Sequence, residues 1–144
     1  MNFMLPSQFS SSSVVTVISG QKHAADPFDG FEAYADDGWD GNGANAIEAS
    51  TLTSARRVYD FIQPFLRKVK KPNIAPGTDG TIGFEWYNRG STIKKMFIEV
   101  QPGEQIRAYW VRPDGRIERN PIWTINFALY AIEPILTEMA GGGS

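Results

Sequence analysis

The residues best suited to chemistry are the carboxylates of Asp36, Asp37 and Asp40, which stand among glycines ahead of the first helical segment. Carboxylate oxygens are ligands that Ca²⁺ prefers, and an EF-hand loop needs side-chain oxygens at its first, third and fifth positions and a glutamate at its twelfth. Counted from Asp36, the third position is Gly38 and the twelfth is Ile47. Because two essential ligands are missing, we expect no metal site and no cofactor.

The same loop fits a structural role. Its segment 40–43 contains the dipeptides Asp-Gly and Asn-Gly, which are strong turn formers. Trp39 is large enough to anchor the loop against the rest of the domain. We interpret the loop as a lid that fixes the entry into the first helix, with partner binding by Trp39, Asp37 and Asp40 as the alternative.

Catalytic residues are few. The chain has no cysteine and a single histidine, His23, so thiolate chemistry and a multi-histidine metal site are excluded. A serine triad would have to use His23, and the glycine pattern of a nucleophile elbow is absent. A carboxylate pair for hydrolysis would need a loop aspartate to meet Glu85 or Glu99 in space. A hydrolase is therefore the third hypothesis, and we predict that no residue is catalytic.

A cluster of cations favours a second function, the binding of nucleic acid. Its residues are Arg67, Lys68, Lys70 and Lys71. Cations bind phosphates and aromatic side chains such as Phe97 or Tyr109 stack on bases. The alternative is a solvated helix end whose cations meet the negative end of the helix dipole. The net charge of -2 and the acidic loop oppose phosphate binding.

Length and composition indicate one domain. The 144 residues are 42% hydrophobic and 21% charged, as in ordinary globular proteins. Residues 1–21, rich in serine, are expected to form a flexible arm. Residues 22–140 are expected to form the domain, including the acidic loop at 28–48, and 141–144 resemble a linker. No apolar run approaches the ~20 residues of a membrane span, so a cytoplasmic location without membrane contact is expected.

The apolar pattern predicts two helices around a set of strands. The first helix begins near Ser50 as its N-cap and bends at Pro64. It ends at the segment 70–72, where two lysines precede a proline. The last helix begins at Asn120-Pro121, an N-cap followed by proline at the first helical position.

Between the helices, apolar and polar residues alternate in three segments, 81–86, 95–100 and 106–111. A period of two is typical of strands with one buried face, and a short fourth strand is expected at 116–119. The predicted fold class is α+β: a two-layer α-β-β-β-α arrangement in which two helices cover an antiparallel meander of three to four strands. Glu85, Glu99 and Arg107 are expected on its outer face, available for cross-strand pairing.

The last helix carries a second apolar face besides its core stripe. The members of this face are Trp123, Phe127, Tyr130 and Pro134. Between Pro121 and Leu136 the only charged residue is Glu133. A helix that is apolar on nearly all sides must be covered on nearly all sides. Either the N-terminal arm and the acidic loop pack over Trp123, Phe127 and Tyr130, so that the domain itself buries them, or these residues bind a partner. Exposed aromatics with few charges are typical of protein interfaces.

Two sequence motifs resemble those of a known group of proteins. The first is Gly38-Trp39-Asp40-Gly41 with Gly43-Ala44, and the second is Asp79-Gly80-Thr81-Ile82-Gly83-Phe84-Glu85-Trp86. Together with the helix between them, they resemble a recurring group of small, uncharacterised bacterial and phage proteins. The resemblance covers roughly residues 36–111 and implies no catalytic residues. By analogy of size, it implies an inhibitor such as an antitoxin or anti-CRISPR protein. The first hypothesis is therefore a non-enzymatic protein-binding module, and a second copy of the chain is one candidate partner.

Overall fold

The computed structural model describes residues 26–89 and 92–141. Its centre is an antiparallel sheet whose five strands lie side by side in chain order. The elements are α1 (Ala49–Ile62), β1 (Asn73–Pro76), β2 (Ile82–Tyr87), β3 (Lys95–Gln101), β4 (Gln105–Val111), β5 (Ile117–Thr124) and α2 (Ile125–Gly141), with 3₁₀ turns at Phe31–Tyr34 and Gln63–Arg67. The predicted arm at 1–21, His23 and the end of the chain at 142–144 lie outside the described residues.

Both helices pack on one face of the sheet, α1 against β2 and β3 and α2 against β4 and β5. The side chains beneath them come from alternate strand positions, because successive residues of a strand point to opposite faces. Phe84, Ile98 and Ile106 are examples, and all three are fully buried. The predicted two-layer α+β class is confirmed. Within the part of the chain that the structure describes, no helix has the length and apolar character to cross a bilayer.

The sheet has five strands, and the prediction of three to four was wrong at its edges. β1 has only four residues, which is too few for an alternating pattern to show, and it ends in Pro76. It pairs with β2 alone, so it is an edge strand, where proline is tolerated.

At the other edge, β5 continues to Thr124 and α2 begins only at Ile125. The predicted helix start at Asn120-Pro121 was therefore wrong. Ile106 pairs with Trp123 and Ala108 pairs with Asn120, so one residue of β4 faces two residues of β5. This is a β-bulge, a place where the missing N–H of Pro121 breaks no ladder bond.

The start and end of α1 also differ from the prediction. The helix begins at Ala49, so Ser50 lies in its first turn and is not the N-cap. It ends at Ile62, well before the predicted end at 70–72. Pro64 is the reason, because its ring excludes an α-helical hydrogen bond and crowds the preceding turn. The chain continues as a 3₁₀ turn. The α-helix therefore ends where the sequence predicted that it would bend.

Ion pairs cross the outer face of the sheet, the face opposite the helices. The Arg107 guanidinium lies 2.7 Å from the Glu99 carboxylate in the neighbouring strand, which confirms the cross-strand pairing expected of these residues. The Lys95 ammonium lies 3.1 Å from the Glu85 carboxylate. This contact, followed by those with Tyr109 and Tyr87, raises the pKa of Lys95.

Candidate functional site

The outward side of α2 carries two aromatic rings that the described part of the chain leaves in solvent. Phe127 is 70% exposed and Tyr130 is 79% exposed. They are three residues apart, and Pro134, four residues further, is exposed as well. The opposite side of the helix is buried against the sheet through residues such as Ile132. Within the described ranges, Phe127 and Tyr130 therefore lie on the surface. We call Phe127, Tyr130 and Pro134 the aromatic face.

Trp123 lies beside the start of this helix but is not part of it. It belongs to β5, where it pairs with Ile106, and it is 44% exposed. Its expected place on the helix was wrong, because pairing with β4 keeps the chain extended until Thr124. Trp123 therefore adds exposed aromatic surface at the strand that leads into α2.

Few charges surround the aromatic face. Glu133 is exposed and is the only acidic or basic residue of α2 besides Glu138. Arg57 of α1 donates a hydrogen bond to the side-chain oxygen of Asn126. Asn126 precedes Phe127 in the sequence, so this bond holds one guanidinium group near the start of the aromatic face. An exposed aromatic surface with a sparse polar rim has the composition of a protein interface.

Glu138, near the end of α2, is turned toward the sheet. Its carboxylate accepts from Arg112, which also bonds Glu118 at 3.0 Å. The Thr92 hydroxyl and then Arg112 hold the pKa of Glu138 below its ordinary range. This ion pair ties the helix to β4 and β5, so Glu138 does not belong to the aromatic face.

The acidic loop is held together by its own side chains. The Trp39 ring packs on Tyr34 with a centroid distance of 4.8 Å, and its indole nitrogen donates to the Asn45 carbonyl at 2.8 Å. Asp37 accepts from a backbone amide at 2.9 Å, and Asp40 accepts from two, at 2.8 and 3.0 Å. These contacts hold the turns of the loop together and support a structural role for it.

The backbone conformation of the loop glycines and the protonation of Asp40 agree with a structural role for the loop. Gly38 and Gly41 both have φ of 77°, a left-handed conformation that disfavours side chains. The amides of Asn42 and Ala44 hold the pKa of the Asp40 carboxyl below its usual range. A partner role for Trp39, Asp37 and Asp40 remains a prediction.

The loop and the aromatic face lie on different parts of the domain. The Asn45 amide of the loop donates to the Thr78 carbonyl at 2.8 Å, and Thr78 lies in the connection between β1 and β2. α2, in contrast, packs on β4 and β5, at the opposite side of the sheet. The structure therefore does not combine the two groups of predicted partner-binding residues into one surface.

The basic cluster Arg67, Lys68, Lys70 and Lys71 is exposed. The Trp86 indole, which is buried on the helix side of the sheet, donates to the Lys70 carbonyl at 2.9 Å. The cluster therefore runs along the helix side, whereas Phe97 and Tyr109 point to the outer face. The structure therefore places these aromatics and the basic cluster on opposite faces of the sheet.

A groove on the outer face combines Phe97 and Tyr109, which the sequence suggested as stacking aromatics, with arginines that the sequence did not connect to them. It has a volume of about 440 Å³, and its lining includes Phe97, Tyr109, Arg107 and Arg119. Arg119 stands directly opposite Tyr109 in the pairing of β4 and β5. The period-two pattern places Arg107 and Tyr109 outward, but the position of Arg119 depends on the register of β5, which the sequence does not reveal.

The carboxylates considered for hydrolysis have separate partners. The loop aspartates accept from backbone amides, while Glu85 and Glu99 bond cations on the outer face. Among the described residues, no group of three or more histidine, cysteine, aspartate or glutamate side chains is arranged to hold a metal ion. These hydrogen-bond and ion-pair partners do not include another of the carboxylates considered for hydrolysis.

Comparison of the chain with protein-family models, curated proteins and solved structures found no match. The resemblance to small bacterial and phage proteins therefore stays a prediction.

Proposed function

We propose that this chain is a protein-binding module whose main contact is the aromatic face of α2. The observation that carries the proposal is the exposure of Phe127 and Tyr130, 70% and 79%, on a helix whose other side is buried. Large aromatic side chains are costly to leave in water and dominate the energetics of interfaces.

The spacing of the aromatic face supports a helix-in-groove mode of binding. Phe127, Tyr130 and Pro134 stand at positions i, i+3 and i+7 of α2, the anchors with which an amphipathic helix enters an apolar groove. We expect the partner to present such a groove with few charges. Truncation of central aromatic anchors typically weakens binding by about 2 kcal/mol or more, or roughly 30-fold in Kd.

A module of this kind acts by occupying a surface of its partner. Inhibition of a toxin or of a host-defence protein, as the sequence resemblance implies, is the form of this function that we propose. It requires tight binding and no catalytic residue.

The test uses the double variant Phe127→Ala/Tyr130→Ala as bait in affinity capture from a bacterial lysate. Tyr87→Ala is the matched control, since Tyr87 is an exposed aromatic, 52% accessible, on the other face of the sheet. We expect the wild-type chain and the control to retain the same protein and the double variant to lose it. Titration calorimetry with the purified partner then measures the change in Kd.

Sedimentation of the purified chain tests the second copy as partner. Dimerisation that the double variant abolishes would identify the aromatic face as a homodimer interface. If the double variant remains folded and retains every partner of the wild type, the proposal is wrong.

A further inference from the structure

The groove on the outer face of the sheet has the composition of an anion-binding site with an aromatic floor. The rings of Phe97 and Tyr109 lie 5.4 Å apart at an interplanar angle of 38°. Arg107 and Arg119 contribute guanidinium groups to the same lining, and Ile117 contributes an apolar wall. None of the lining residues is acidic, so an anion meets no opposing charge inside the groove.

The charges around the groove favour an anionic ligand. Glu99 is bonded to Arg107, and Glu85 is bonded to Lys95, so both carboxylates of this face are already neutralised. Arg119 is exposed and, within the described ranges, has no ion pair or hydrogen bond through its side chain. Arg107 uses its Nε toward Glu99, which leaves the other donors of its guanidinium for a ligand.

The aromatic floor is formed before any ligand arrives. A Cβ atom at Gly83 would lie 2.9 Å from Cε1 of Phe97, so the Phe97 ring occupies the space that glycine leaves open. The ring is thereby held against the sheet next to Tyr109. A preformed platform lowers the entropic cost of ligand binding.

A second stacking surface follows on the same face. Tyr87 is 52% exposed, and the Lys95 ammonium lies 5.2 Å from its ring and 5.7 Å from the ring of Tyr109. Ring and cation thus alternate across β2, β3 and β4. Alternating rings and cations match a chain in which bases alternate with phosphates.

We propose that this outer face binds single-stranded nucleic acid, with a base stacked on Tyr109 and Phe97 and a phosphate held by Arg119 and Arg107. The helices cover the opposite face, so bases can reach the rings without any rearrangement of the fold. A duplex is disfavoured, since its paired bases cannot turn their faces to the rings. This site is separate from the aromatic face of α2 and from the basic cluster, so its test is independent of the protein-binding function.

The test measures fluorescence anisotropy of a labelled oligouridylate of about ten nucleotides, a length within known single-strand site sizes. Because the charge of Arg107 is balanced by Glu99, about one phosphate is neutralised, and the slope of log K against log salt is about −0.7. Affinity should then fall about 2.6-fold between roughly 50 and 200 mM salt. Arg119→Ala should remove most of that salt dependence, because it removes the unpaired cation of the phosphate contact.

The aromatic variants test stacking. Tyr109→Ala should weaken binding by about 5- to 150-fold, the range for loss of one stacked base. Tyr109→Phe keeps the ring and should bind within about twofold of the wild type. If Tyr109→Ala fails to fold, Arg119→Ala decides alone, because the exposed Arg119 side chain loses no hydrogen bond or ion pair to any residue that the structure describes.

Two control variants test whether the oligonucleotide binds at the outer face. Arg67→Ala/Lys68→Ala alters the basic cluster and Phe127→Ala/Tyr130→Ala alters α2, and both should bind the oligonucleotide as the wild type does. The proposal is overturned by absence of binding at low salt or by equal binding of a duplex. It is also overturned if Arg119→Ala has no effect or if the basic-cluster variant alone loses affinity.

Discussion

Truncation of neighbouring residues on the two sides of α2 should have opposite consequences for stability. Ile132 is fully buried, whereas Tyr130, two residues earlier, is 79% exposed. We expect Ile132→Ala to destabilise the domain by about 2–5 kcal/mol, since it removes buried methyl groups and leaves a cavity. We expect Tyr130→Ala to change stability by no more than about 0.5 kcal/mol.

The small stability change expected for Tyr130→Ala is the difference between a loss of buried apolar surface and a gain in helix propensity. Roughly a fifth of its surface is covered, or about 40 Å² of the ~200 Å² that a tyrosine buries in a core. At about 25 cal/mol per Å², truncation loses about 1 kcal/mol. Alanine in an exposed helical position returns about 0.5 kcal/mol of helix propensity. The remainder lies within the range of ordinary surface substitutions.

Urea denaturation followed by circular dichroism measures the free energy of unfolding of both variants. If the dependence of that free energy on urea concentration is unchanged, the unfolding transitions can be compared directly. A loss above about 2 kcal/mol for Tyr130→Ala would refute the reasoning. It would mean that another part of the chain covers the ring, and the aromatic face would then be core. A loss below about 1 kcal/mol for Ile132→Ala would contradict the placement of the buried side of α2.

Two further predictions concern the sheet and its tie to α2. Gly83→Ala should destabilise the wild type by about 1 kcal/mol, because its Cβ would crowd the Phe97 ring. In a Phe97→Ala background it should stabilise by about 0.5–1 kcal/mol, since alanine suits a strand better than glycine. Urea denaturation of the four chains checks this, and the same sign in both backgrounds would contradict it. The pKa of Glu138 is lowered, first by the Thr92 hydroxyl and then by Arg112. A lowered carboxyl pKa stabilises the fold above the unfolded-state value, and that stabilisation disappears as pH falls through the folded-state value. The thermal midpoint should therefore drop as pH falls below the ordinary value of 4.5, and Glu138→Gln should flatten that dependence; an identical profile in both chains would argue against the ion pair.

Local patterns in the sequence predict the fold class and most of the core. The alternation in β2, β3 and β4 assigns Phe84, Ile98 and Ile106 to the buried face, and each is fully buried. The glycines of the acidic loop predict its turns, and Gly38 has the left-handed conformation that such turns need. These predictions hold because strand alternation and turn geometry are properties of neighbouring residues.

The edges of the sheet and the start of α2 are less predictable. Asn120-Pro121 is as compatible with a helix N-terminus as with a bulge in an edge strand. Pairing with β4 decides between them, and the pairing partner lies in another segment of the chain. The same pairing places Trp123 in β5 and not in the expected helix.

Local patterns in the sequence are enough to predict an α+β domain, a glycine-bent loop around Trp39 and a last helix with apolar residues on nearly every side. The exposure of Phe127 and Tyr130 follows only from tertiary packing, because exposure depends on which segments cover a helix and not on the helix itself. The tertiary structure also brought Arg119 beside Tyr109, since strand register is set by hydrogen bonds between segments that no short motif encodes.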